Sequence, residues 1–443
     1  MKTSSLLLTL TLAGLLAACG QKNKETQSQP SDAENAQLPQ APQLPPPGEP
    51  ANHFSKVIGW PEGKTPTAPA GFVVTEYARD LINPRWAYVA PNGDVLVAEA
   101  NTELKGAKKV AAVASGKAQS QRMGESANRI TLFRDTNGDG KPDLRTVFLE
   151  KLNQPFGMVV QGNFFYVANT DGVMRFPYQA GQTKIGGPGQ KIRELPAGGY
   201  NNHWTRNLLA SPDGKKLYVA VGSGSNVGEN GMEHEVRRAA ILEMNPDGSG
   251  ERIYASGLRN PVGMAWYPGT TRGDGPTLYT AVNERDELGD ELVPDYLTSV
   301  REGAFYGWPY SYYGQNEDPR RKGERPDLVK KAVVPDVPLG SHTASLGLAF
   351  YDKNAFPETY HNGAFIGQHG SWNRSSFSGY KVVFVPFRDG KPNGKPTDFL
   401  TGFIANDKEV YGRPVGVTVL PDGSMLVTDD VANRIWRVAA QKP

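Results

Sequence analysis

The chain has 443 residues, with 48 basic and 46 acidic side chains for a formal charge of +2, and a single cysteine. So even a balance excludes the basic stripe of a nucleic-acid binder, and a lone cysteine excludes an intrachain disulfide. Glycine and proline together, 50 and 35 residues, make up about a fifth of the chain, a surplus that suits many tight turns and one segment without a core.

In chain order, Lys2 precedes an apolar run from Leu6 to Leu16, too short to span a bilayer as a mature helix. The run ends in Leu16-Ala17-Ala18-Cys19-Gly20, which resembles the lipobox of bacterial lipoproteins. That resemblance implies a signal peptide over residues 1–18 and lipidation of Cys19. The protein would then be lipid-anchored in the bacterial envelope, at the outer membrane, facing the periplasm. Residues 19–55, rich in Gln, Pro, Ser, Asn and Ala, cannot bury a core and are expected to form a disordered tether.

From residue 68 one unit recurs: an Asn-Pro or Gly-containing start, a short apolar strand, a turn and a second apolar strand. Its copies include "NPRWAYVAPNGDVLVAEA" (83–100), "NQPFGMVVQGNFFYVANT" (153–170), "NHWTRNLLASPDGKKLYVAVG" (202–222), "RNPVGMAWYPG" (259–269), "ASLGLAFYDK" (344–353) and "GRPVGVTVLPDGSMLVTDD" (412–430). A repeat every 50 to 85 residues or so is the length of a four-stranded blade with its loops, so the fold class expected over 68–440 is an all-β, six-bladed β-propeller. The segment "GFVVTEYAR" (71–79) is expected to pair with "NRIWRVA" (433–439) and so close the ring.

In a propeller the first strand of each blade is innermost, and the second returns antiparallel to the same face. The polar groups at those positions should therefore converge on one pocket: His203 to Arg206, Arg259, Asn260 and Arg413 from the strand starts; Glu99, Asn169, Asn226, Asn283 to Asp290, Gln368 to Arg374, Asp429 and Asp430 from the strand ends. Of six histidines only His203 is expected at an inner-strand start, where an imidazole can take a proton from a bound alcohol. His369, in "GQHGSWNRSS", is the rival base, and a histidine that merely fixes a loop is the plainer reading of either. Arg259 beside Asn260 suits an anionic cofactor, or equally a turn with the guanidinium stacked on a ring. The insertion 102–126, basic and poor in aromatics, is expected to overhang the pocket or to receive an acidic redox partner.

Two stretches read as cation neighbourhoods. "NERDELGDELVPDY" (283–296) gathers carboxylates and backbone oxygens of the kind Ca²⁺ prefers. "DTNGDGKPD" (135–143) sets Asp135, Asn137, Asp139 and Asp143 at positions of a calcium loop, with Thr146 where the bidentate Glu would stand; a hairpin turn explains it equally.

Together "RITLFRDTNGDG", "GLRNPVGMAW", "NERDELGDELVPDYL" and "GAFIGQHGSWNRSSFSGYKVVFVPF" resemble the sorbosone dehydrogenase branch of the soluble quinoprotein glucose dehydrogenase family. The resemblance implies pyrroloquinoline quinone with Ca²⁺ in the central pocket and oxidation of a sugar hydroxyl or hydrated aldehyde, with electrons passed to an acceptor such as a cytochrome or a quinone pool. It puts His203 where the family has its general base and Arg259 and Asn260 beside the quinone. It puts Arg285 and Asp286 where two backbone carbonyls bind the cofactor's Ca²⁺, and Arg413 at the first of two cofactor arginines. The second falls on Val415 and the family's lysine near Gly370, so Arg374 or Lys381 would have to substitute. Two other functions fit the repeat: a Ca²⁺-dependent lactonase using Glu99, Asn169, Asn283 and Asp429, and a propeller that binds carbohydrate or protein without catalysis.

Overall fold

The computed structural model describes residues 42–104, 106–269 and 275–441; Cys19, the signal and the first part of the tether lie outside them. Six four-stranded antiparallel sheets follow one another along the chain. Their inner strands are Pro84–Val89, Met158–Gln161, Leu208–Ala210, Pro261–Trp266, Ser345–Phe350 and Pro414–Val419, for blades 1 to 6. Each blade then steps outward, as in blade 1, through Val95–Glu99 and Arg129–Arg134 to Leu144–Leu149. This is the six-bladed propeller expected from the repeat.

Every blade must bury both faces, and the apolar side chains accordingly pack in seams between blades rather than in one central core. Leu242 of blade 3, fully buried, shares a seam with Ala168 and Val173 of blade 2. Truncating such a side chain to Ala costs about 2–5 kcal/mol.

The recurring glycine of the strand starts has a physical cause. A Cβ on Gly157 would stand 2.1 Å from the Leu208 amide, on Gly263 2.6 Å from the Leu346 carbonyl oxygen, and on Gly347 2.3 Å from the Val415 carbonyl oxygen. Neighbouring inner strands converge on the axis so closely that only glycine fits there.

Closure follows the expected pairing. Phe72–Ala78 is the outermost strand of blade 6, antiparallel to Arg434–Ala440 with Val74 opposite Val438.

Two features depart from expectation. The tether does not run free to residue 55: the Gly48 amide bonds the Leu288 carbonyl at 2.9 Å, the His53 amide bonds the Trp372 carbonyl at 2.8 Å, and Lys56–Val57 pairs with Glu409–Val410. An extended chain needs no core of its own when it lies on a neighbour's, and here Phe54 stacks on Trp372. The insertion between the second and third strands of blade 1 forms two helices, α1 (Gly106–Ala114) and α2 (Lys117–Ser120), separated by Gly116 at φ 81°. The Ala-rich sequence of α1 favours helix, and left-handed Gly116 lets the chain turn sharply between the two.

Candidate active site

A cavity of about 550 Å³ opens where the inner strands start, within the size range of small-molecule sites. His203, Asn260, Asp286 and His342 line it from the propeller, His369 and Trp372 from the far side, and Lys108 and Lys117 of the helical insertion from above. The insertion therefore overhangs the pocket, one of its two expected placements. A roomier cleft of about 810 Å³ lies between the outer parts of blades 4 and 5 and holds Lys381, ion-paired with Asp398 at 2.6 Å; it gathers none of the other expected site residues except Gln368.

The stretch that begins blade 3 is bulky because it builds this wall. Buried Arg206 donates to the carbonyls of His203 and Pro196, both at 2.7 Å, and so staples the loop that carries His203. Trp204 donates its indole N–H to Thr102 Oγ1 at 2.8 Å, tying the insertion down. His203 Nδ1–H donates to the Ser223 carbonyl at 2.8 Å, which leaves the lone pair on Nε2. Burial, and then the nearby Arg259, push its pKa down to about 3, so the imidazole is neutral. Beside it, a Cβ on Gly222 would meet Asn260 Oδ1 at 2.4 Å and His203 Cβ at 2.6 Å; only glycine lets the two flank the strand end. Asn260 Oδ1 is buried without a hydrogen-bond partner, a site awaiting a donor.

Arg259 lies beneath the cavity floor, 1% exposed. Its guanidinium donates to Glu284 O at 2.5 Å, Asn226 Oδ1 at 2.9 Å and Asp286 Oδ2 at 3.0 Å. These bonds spend its donors, so Arg259 holds Asp286 and the strand-end turn in place rather than reaching a ligand, a correction to its expected catalytic and cofactor-contacting role. Burial alone would raise the Asp286 carboxyl, but Arg259 and His342 outweigh it and hold the pKa at about 2. His342 Nδ1 is 3.5 Å from Asp286 and its Nε2–H donates to the Gly289 carbonyl at 2.8 Å. Burial opposes its charge, yet the Asp286 contact prevails and its pKa is raised.

Three other expected cofactor residues face elsewhere. The Arg285 guanidinium pairs with Asp318 at 2.6 Å and curls back onto the carbonyl of Asp286 at 2.6 and 2.9 Å. That carbonyl, expected to hold the cofactor's Ca²⁺, already has a cation on it and also accepts from Asn226 Nδ2 at 3.2 Å. The Asp286 carbonyl thus does not fit a Ca²⁺ seat. Arg374 turns outward to the Asp290 carbonyl at 2.5 Å and to Glu291 at 2.8 Å. Arg413, fully buried, donates to Ser55 Oγ at 2.9 Å, Ser120 Oγ at 2.8 Å and Tyr380 Oη at 2.8 Å, outside the cavity lining.

The Asp135–Asp143 loop is a hairpin turn whose oxygens are satisfied internally. Asp135 accepts from the Gly138 and Gly140 amides, both at 2.7 Å, and Asp143 accepts from the Thr136 amide at 2.7 Å. Among the described residues no three His, Cys, Asp or Glu side chains gather into a metal-holding group. The lactonase ligand set is likewise dispersed. Glu99 is spent on Arg129 at 2.8 Å, Asp429 on the Trp60 indole at 2.8 Å, and neither lines the cavity.

Sequence reasoning missed His342 and Asp295, and named Glu284, His369 and Asp430 without their partners. His342 also precedes an inner strand, three residues before Ser345, and the repeat itself could have flagged it. Glu284, buried at the cavity wall, has its pKa raised by burial to about 7, and neighbouring Asp295 is raised to about 6 by the same cause. His369 donates to Asp430 at 2.9 Å, and Asp430 pairs with Arg85 at 2.5 Å. Burial opposes the Asp430 charge, but His369 and Arg85 prevail and hold its pKa at about 2.

The TrAA12-like family matches residues 66–312 and 316–441. An uncharacterised protein of Borreliella burgdorferi is 35% identical over 251 residues, 56% of this chain and 63% of that one. The aldose sugar dehydrogenase of Escherichia coli (strain K12) is 28% identical, over 40% of this chain and 47% of its own. A pyrroloquinoline quinone-dependent pyranose dehydrogenase of Coprinopsis cinerea is 26% identical, over 54% of this chain and 40% of its own. The matches thus span less than two thirds of each of these relatives. Among solved structures, the holo pyrroloquinoline quinone domain of the Coprinopsis cinerea enzyme superposes with a TM-score of 0.66 at 19% identity, covering 87% of this chain and 100% of that one. The quinone-bound aldose sugar dehydrogenase of Streptomyces coelicolor gives 0.53 at 17% identity, covering 84% and 99%. With the family matched along both halves of the propeller, the chain belongs to the TrAA12-like family.

Proposed function

We propose that this protein is a lipid-anchored, periplasm-facing dehydrogenase that oxidises a sugar hydroxyl or hydrated sugar aldehyde with pyrroloquinoline quinone, and passes the electrons to a cytochrome or a quinone pool. The observation that carries the reading is His203: a neutral imidazole, its Nδ1–H committed to the Ser223 carbonyl and its Nε2 lone pair left free, on the wall of the cavity at the strand starts. The names of the relatives support the substrate class and the cofactor.

The cavity fits an anionic planar quinone. Asn260 Oδ1 lacks a donor, and Lys108 and Lys117 stand in the wall, with Trp372 beside Lys117. When bound, the quinone supplies the hydride-accepting chemistry. His203 Nε2 takes the hydroxyl proton of the substrate, while Asn260 beside it positions what lies over the floor. Arg259 and His342 hold Asp286 ionised and fixed, so the floor is preorganised. The helical insertion above, with Leu104 and Met123 in the lining, excludes water. Calcium is assigned no role at the Asp286 carbonyl.

The test is dye reduction by the full chain against a panel of aldoses and aldose-derived aldehydes, with and without added quinone, each with and without Ca²⁺. Sugar-dependent reduction that requires the quinone is expected. Lactone hydrolysis with Ca²⁺ alone, or a quinone that changes neither the visible spectrum nor the melting temperature, would overturn the reading.

A further inference from the structure

We infer that Lys117 is the cation that seats an anionic ligand in this cavity, and that Arg413 serves it from a distance by pinning helix α2 to the propeller. The inference rests on the quinone reading and names the residue that carries the ligand's charge.

The cations around the mouth are mostly spent. Arg85 is paired with Asp430, Arg259 with Asp286, Arg285 with Asp318 and Arg374 with Glu291. Lys117 lines the cavity and has no carboxylate within ion-pair distance among the described residues; its ammonium stands 4.4 Å from the centre of the Trp372 ring. Burial lowers its pKa, and only the more distant charges of Asp286 and Arg259 act on it besides. A half-buried ammonium without a counterion is costly unless something completes it, and the open space beside it is the cavity itself. With its ring contact already made to Trp372, the ammonium still has N–H donors to give a ligand carboxylate. Lys108, the other unpaired lysine of the lining, lies over Tyr200 at 4.2 Å and marks the opposite side.

The position of Lys117 is not left to a loose loop. Ser120, one turn further along α2 and fully buried, accepts from Arg413 at 2.8 Å and lies 3.2 Å from Ser55 of the N-terminal strap. Residues three apart share a helix face, so fixing Ser120 aims Lys117 inward. The guanidinium expected to touch the cofactor directly instead holds the element that brings a different cation to it.

The test uses the full chain and two probes, pyrroloquinoline quinone and its trimethyl ester, titrated by quenching of tryptophan fluorescence. Lys117→Met is expected to weaken the quinone about tenfold or more, the loss of one charge-assisted contact, while the ester binds wild type and variant alike. Lys117→Arg is expected to recover most of the affinity, and the ligand-free melting temperatures of all three should agree. Ser120→Ala, which leaves the charge in place, is expected to weaken the quinone and to open the Lys117 peptide bond to trypsin. Equal quinone affinity in wild type and Lys117→Met overturns the lysine assignment and leaves the quinone reading standing. An equal loss of ester affinity also overturns it, since the lysine would then act by shape. Failure of wild type to bind the quinone at all overturns both.

Discussion

His203 Nδ1 lies 2.8 Å from the carbonyl oxygen of Ser223, and a carbonyl can only accept, so the proton sits on Nδ1 and Nε2 is the basic nitrogen. Replacing His203 by Ala or Gln should lower kcat by about 10²–10⁴-fold, the usual worth of a positioned base, with quinone affinity retained. Steady-state dye reduction alongside quinone titration checks it. The same loss in His369→Ala, with His203→Ala fully active, would transfer the role to the His369–Asp430 pair.

Arg259 lowers the His203 pKa by its charge and holds Asp286 at 3.0 Å. A base works above its pKa, so activity falls as pH drops through that value. Arg259→Gln removes the repelling charge and leaves Asp286 without its main counterion, and both effects raise the His203 pKa. The acid limb of the kcat/KM profile should therefore move toward neutral pH. Stability should also fall by about 3–5 kcal/mol, because one partner of a buried ion pair is left behind. An unmoved acid limb would mean that another group titrates there.

Glu284 has its pKa raised by burial from 4.5 to about 7. Below about pH 4.5 both folded and unfolded carboxyls carry the proton, and the group is neutral toward stability. Between there and about pH 7 the unfolded state ionises while the folded one resists, so stability falls as pH rises, in total by about 3 kcal/mol. Glu284→Gln should raise the melting temperature at pH 8 and leave it unchanged near pH 4. Thermal unfolding monitored at both pH values decides this.

Gly347 faces the backbone of blade 6 so closely that an added Cβ would stand 2.3 Å from the Val415 carbonyl oxygen. Backbone cannot swing aside as a flexible side chain can. Gly347→Ala should cost about 1–3 kcal/mol or more, measured by denaturant unfolding, whereas Gly162→Ala in an open hairpin turn should cost less than Gly347→Ala despite its φ of 57°.

The strand starts were legible because their glycine and Asn-Pro pattern answers a requirement of the backbone itself, repeated six times around one axis. Phe72–Ala78 was placed correctly for a similar reason: an apolar strand ahead of the first repeat needs a partner, and the last repeat has a free edge. His203 could be set at the cavity from its position in the third repeat. The arginines could not, because position along a strand tells which end a guanidinium is near but not what it binds. Arg285 met Asp318 and Arg413 met Ser120, each partner coming from a segment outside the repeat. Lys117 was invisible for the complementary reason. Its segment reads as a basic, featureless insertion, and only the docking of Ser120 and Trp204's bond to Thr102 give it a place.

The outermost strand of blade 6 is made by residues 72–78, yet its three partners lie between residues 414 and 440. A growing chain must therefore carry that strand unpaired, with Val73 on its outer face, until nearly all of the remaining blades have been made. Contacts this distant in sequence form slowly, and an unmatched strand edge in the interval invites pairing with another molecule. The clasp that makes the finished ring durable also makes its assembly the vulnerable stage of the protein's life.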